Sequence, residues 1–114
     1  MNLPSFPEWT EDMIGELARR AGKPVLVVFW ADPGPSNQWL EPVLEAVAKE
    51  FAGRAAFAKV NLRKAPSLAR ELNLPGTPTV AVFDGSTMVE QRGGVAPLWV
   101  YREMLERALV AYTA

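Results

Sequence analysis

The chain contains no cysteine and no histidine among its 114 residues. Without thiols it has no disulfide, no sulfur ligand for structural zinc, and neither an attacking nor a resolving group of its own for disulfide exchange. Without imidazole it lacks the usual general base near neutral pH. Any catalysis by its side chains would have to run on carboxylates, lysine, serine, threonine or tyrosine. A dominant charge of one sign is missing too: 12 Lys plus Arg face 13 Asp plus Glu, for a net charge of −1. That balance gives no footprint for nucleic acid or an anionic membrane surface. The longest apolar run covers 25–31, far below the roughly 18 residues that a membrane span needs. The first residues, Met-Asn-Leu-Pro-Ser, have neither a basic start nor an apolar core, so no secretory signal is expected and a cytoplasmic location is the default. No metal or cofactor is implied.

What is present is a globular pattern, with 49% of residues apolar, which suits one domain. Pro4 and Pro7 remove backbone donors from 1–9, which predicts an extended arm or a weak edge strand ahead of a single domain over 10–114. Thr10 is the expected N-cap of a helix over 11–21, with acids in its first turn and Gly22 as its stop. The unbroken run 25–31 predicts a central strand buried on both faces. The turn cluster 32–37 follows, then a helix carrying Trp39, Leu40, Val43, Leu44, Val47 and Phe51 with Pro42 inside it. A strand over 55–62, a short helix opened by Pro66, a hairpin around Asp84-Gly85 and a closing helix after Pro97 complete the order. On the closing helix, Arg102 with Glu106 and Glu103 with Arg107 are expected outward pairs. Trp30 and Trp39 are expected in the core, Trp99 partly exposed, and Trp9 pinning the arm. If the arm makes only a poor strand, the edge at 55–62 lies open, which predicts a weak homodimer through it.

In this order the residues resemble the thioredoxin family. Lys23-Pro24-Val25-Leu26-Val27-Val28-Phe29-Trp30-Ala31-Asp32 resembles the family's central strand and the entry to its redox loop, and Pro42 sits at its helix-kinking proline. Ala58-Lys59-Val60-Asn61 resembles its third-strand motif, Gly76-Thr77-Pro78-Thr79 the loop with its cis-proline, and Gly94 the glycine flanking the site. The resemblance implies an α/β fold with a central mixed sheet of four to five strands and helices on both faces. It also implies a disulfide oxidoreductase, but the redox loop departs from the family. Where thioredoxins carry Trp-Cys-Gly-Pro-Cys, this chain has Pro33-Gly34-Pro35-Ser36-Asn37, so Gly34 and Asn37 replace the two cysteines. Val28 replaces the family's buried acid, while Lys59 stays at the position that would pair with it and is given no role.

Ser36 and Asn37 read as helix caps, since no base stands near them in sequence to activate a nucleophile. The family's backbone contact beside the cis-proline needs no thiol, so Leu62, Thr77, Pro78 and Gly94, with Pro33, are the candidate peptide-binding residues. The expected function is therefore a redox-inactive, non-enzymatic binding module, an adaptor or chaperone-like holdase with a protein or peptide partner. Two alternatives stand beside it: a non-thiol enzyme or small-ligand binder at the Ser36 helix start, and a protein that is classed with the thioredoxins, disulfide oxidoreductases of redox homeostasis, by its fold alone and has no reductase activity.

Overall fold

Six residues, Val25–Trp30, form the strand β1 on which the rest of the sheet is built. The computed structural model describes residues 6–31 and 37–113. Strand β1 pairs in parallel with β2 (Ala56–Asn61) and antiparallel with β3 (Thr79–Asp84), which in turn pairs antiparallel with β4 (Thr87–Gly93). The order across the sheet is β2-β1-β3-β4, a mixed sheet of four strands. A parallel pair needs a crossover, and α2 (Asn37–Glu50) supplies it between β1 and β2. The remaining helices are α1 (Ile14–Arg20), α3 (Pro66–Glu71) and α4 (Leu98–Thr113).

The first five residues of β1 are buried, and their side chains alternate between two cores. Leu26 and Val28 point to one face, where Leu40, Leu44 and Val47 of α2 meet Tyr101, Met104 and Leu105 of α4. Val25, Val27 and Phe29 point to the other, against Ile14 and Ala18 of α1 and Leu68 of α3. A strand apolar at every position thus needs helices on both faces, which is the architecture expected from the uninterrupted run.

Local departures from the sequence reading have identifiable causes. Helix α1 starts at Ile14, with Met13 at its N-cap and no side-chain cap. Thr10 instead opens a turn, in which the Met13 N–H donates to the Thr10 carbonyl at 3.0 Å. Arg102 pairs with Glu50 of α2 at 2.9 Å, not with Glu106, because it leans across the α2–α4 contact. Arg107 reaches Glu90 of β4 at 2.8 Å as well as Glu103 at 3.5 Å. These are exposed pairs, which solvent screens and which contribute little to stability.

The arm also does more than its prolines suggest. The Lys59 N–H donates to the Pro7 carbonyl at 2.9 Å, and the Trp9 N–H donates to the Lys59 carbonyl at 2.8 Å. Pro7 lacks an N–H, but only its carbonyl is used here. The edge of β2, expected to be open for dimerisation, is therefore covered at Lys59 by the chain's own residues 7–9. Trp9 packs its side chain against the second core, as a residue pinning the arm should.

The two-sided core makes a direct prediction. Leu44 has no exposed surface, so Leu44→Ala should lower stability by about 2–5 kcal/mol. Urea unfolding would show this as a lower midpoint at unchanged slope.

Candidate functional site

The loop between α3 and β3 is held at three points. Its Thr77–Pro78 peptide bond is cis. The Thr79 hydroxyl, on the only buried polar residue among those described, donates to the Gly76 carbonyl at 2.6 Å. From beyond the far end of β4, the Gly94 N–H donates to the Pro78 carbonyl at 2.8 Å. Gly94 adopts φ +76°, a left-handed conformation that glycine takes without steric cost. Next to it, a Cβ on Gly93 would lie 2.8 Å from Cγ of Pro75, so the two glycines let the end of β4 close on the loop.

The structure thus brings Thr77, Pro78 and Gly94 together. Thr77 and Gly94 are exposed, while the Pro78 ring is buried and its carbonyl is already engaged. Leu62 does not join them as an exposed apolar residue. It is only 8% exposed and packs with Ala65 and Leu68 in the α1/α3 core. Its backbone N–H donates to the Trp30 carbonyl at 2.8 Å, which carries the β1–β2 pairing one step past the strand ends. Pro33, Gly34, Pro35 and Ser36 lie outside the described residues, and Asn37 is described only as the first residue of α2.

Val28 is fully buried in the α2/α4 core, opposite Lys59 on β2 and Val80 on β3. A valine there packs without the desolvation cost that an unpaired carboxylate would carry. Trp30 is half-buried at the end of β1, and its indole N–H has no hydrogen-bond partner among the described residues. Trp39 is 66% exposed and not in the core. The inward face of α2 is set by Leu40, Leu44 and Val47, and a residue beside Leu40 is turned about 100° away from it. Trp99 is exposed, in line with its place off the α4 stripe. Among the described residues no cluster of acidic side chains could hold a metal ion.

Tyr101 is the residue whose part in this region the sequence reading missed. Its position on the apolar stripe of α4 identifies a core ring and says nothing of its hydroxyl. The side chain has no exposed surface, and its oxygen accepts the Ala96 N–H at 2.9 Å. The segment from Gly94 to Ala96 is thus fixed at one end to Pro78 and at the other to α4. Burial pushes the Tyr101 phenol above 10.0, a rise partly offset by the Ala96 N–H and the nearby positive charge of Arg92.

Tyr101→Phe should leave the Ala96 N–H without an acceptor and cost about 1–2 kcal/mol. The sign of the pH dependence follows from the raised value: the neutral phenol's stabilisation is complete below pH 10.0 and is lost as pH rises through the folded-state value. Base-induced unfolding followed by tyrosinate absorbance should show one late-titrating tyrosine, absent in Tyr101→Phe.

Comparison with known proteins bears on the family and on the expected function. A family model described as Thioredoxin matches residues 8–106. Thioredoxin M4 of Arabidopsis thaliana, a chloroplastic protein, is 33% identical over 87 residues, 76% of this chain and 45% of that protein. The chain thus spans less than half the length of that relative. Thioredoxin 1 of Chlorobaculum tepidum is 30% identical over 98 residues, 86% of this chain and 94% of that protein. Thioredoxin 1 of Nostoc is 30% identical over 86 residues, covering 75% and 80%. These relatives overturn the expectation of a redox-inactive, non-enzymatic adaptor or holdase, since each is named a thioredoxin and thioredoxins are thiol–disulfide oxidoreductases. The missing cysteines remove the chain's own thiols and do not by themselves show that it has left that chemistry. The cytoplasmic default does not follow from the family either, because the Arabidopsis relative is chloroplastic. No helix among the described residues is long and apolar enough to cross a membrane. With the family match running from the arm into α4, and with a four-stranded mixed sheet covered by helices on both faces, the chain belongs to the thioredoxin family.

Proposed function

We propose that the protein acts in thiol–disulfide exchange and redox homeostasis, using sulfur atoms carried by the molecules it binds. The observation that supports this reading is the match over residues 8–106, which takes in the loop at Thr77–Pro78 and its contact with Gly94. With no cysteine in the chain, both the attacking and the resolving thiol must come from outside.

The thiolate of a small thiol attacks one sulfur of a bound disulfide. The S–S bond breaks, and its electron pair leaves on the far sulfur, which takes up a proton. A second small thiol then cleaves the mixed disulfide, so the bound disulfide is reduced to two thiols and the small thiol is oxidised to its own disulfide. The protein's contribution is position, since holding two reactants together raises their effective concentration. The proposed substrate is a polypeptide disulfide lying along the exposed backbone at Thr77. Extended segments are bound in this manner by backbone groups that the fold leaves unpaired. The near-zero net charge supports neither nucleic acid nor a membrane surface as partner.

Insulin reduction by glutathione, with and without the protein, tests this reading. A rate above that of glutathione alone supports it, and a rate equal to it overturns it. Gly34→Cys with Asn37→Cys returns thiols at the positions matched to the family's pair. That double variant should reduce insulin at least about tenfold faster than either single variant, because only the pair can resolve its own mixed disulfide.

A further inference from the structure

The two edges of the sheet are treated differently. The β2 edge is covered at Lys59 by residues 7–9, whereas β4 pairs, among the described residues, with β3 alone. An uncovered edge strand is a template for another strand. Its open hydrogen-bonding groups follow from one bond. Gly94 donates inward to Pro78, and in an antiparallel ladder the direction alternates, so Arg92 and Glu90 also face β3 while Gly93 and Gln91 turn their N–H and C=O outward. Val89 has no partner on β3, because Val82 pairs with Glu90 and Phe83 with Met88. Its side chain is 46% exposed.

We propose that the protein forms a two-fold dimer through antiparallel pairing of β4 with β4 of a second copy, centred on Gln91. The charge pattern of the strand selects this occupant and this register. With Gln91 opposite Gln91, Glu90 of each copy faces Arg92 of the other, and Val89 faces Gly93. Such a contact is self-complementary, as a two-fold interface requires. Edge strands are commonly protected by charge, but the two charges here have opposite sign and are spaced to attract when the strand meets itself. Arg92 makes no ion pair among the described residues, while Glu90 already accepts two hydrogen bonds from Arg107, at 2.9 and 2.8 Å. Arg92 of the second copy would approach that carboxylate from the open side. At the centre the pairing is carried by the backbone of Gln91, whose side-chain amide is turned to its own chain and donates to the Asn73 carbonyl at 3.3 Å.

The helices leave room for this. Helix α4 packs over β3, so in the joined sheet the two copies of α4 would lie three strand spacings apart, about 14 Å. Packed helices approach to about 8–10 Å, so the two copies do not collide. A single strand pair buries little surface, which places the dimer among weak, rapidly exchanging associations.

Sedimentation of the full chain from about 10 μM to 1 mM tests the proposal, as it covers the range of weak association. The expected result is a monomer–dimer equilibrium that weakens with added salt, since its charge pairs are exposed. Arg92→Glu should weaken it at least about tenfold by placing like charges opposite each other twice. Glu90→Arg should do the same, and an equimolar mixture of the two variants should restore dimerisation. Gln91→Pro removes the central outward donor, which β3 does not use, and should abolish the dimer while circular dichroism stays unchanged. A monomer across the whole range would overturn the proposal. So would a dimer that Arg92→Glu and Gln91→Pro leave unaltered.

Discussion

A strand with apolar side chains on both of its faces cannot be left with either face in water. Val25–Phe29 imposes that constraint here, and the placement of every helix follows from it. Leu26 and Val28 call for α2 and α4 on one side, while Val25, Val27 and Phe29 call for α1 and α3 on the other. Burying a side chain of this size stabilises by roughly 1.5–3 kcal/mol. Exposed ion pairs contribute far less, so the five buried positions of β1 outweigh the ion pairs among the described residues in fixing the architecture.

The site inherits its shape from this frame. β3 lies beside β1, which fixes the start of β3 at Thr79 and the loop before it. β4 returns along β3 and ends at Gly93, and the N–H of the next residue, Gly94, closes on Pro78. Tyr101 then ties the following residues to α4. None of these contacts involves sulfur. The contacts that hold the loop at Thr77 and Pro78 thus come from Gly76, Thr79, Gly94 and the segment after it.

Much of the fold was legible because its signals are strong and local. The uninterrupted run after Pro24 announced a two-faced strand, the glycine at 22 marked a stop, and the Gly76-Thr77-Pro78-Thr79 sequence marked the loop. The misses share a different cause. Trp39 is apolar in sequence, but the angular position of α2, set by Leu40 and Leu44, turns it to solvent. Leu62 belongs to the core because the β1–β2 pairing extends past the strand ends. Arg102 finds Glu50 only once α2 and α4 are packed together, and the Tyr101 hydroxyl finds Ala96 only once the chain has turned after Gly94. Function was the least legible. The missing thiols argued for loss of activity, whereas the relatives are named for the family's chemistry, and composition speaks only to the chain's own thiols.

Closure of the β4 end onto the proline loop holds the site together, and hydrogen exchange measures it directly. The Gly94 amide should exchange as slowly as the amides of the β3–β4 ladder, because the bond to Pro78 opens only when the strands part. Exchange of that amide at the rate of an unstructured glycine, with the ladder still protected, would contradict it.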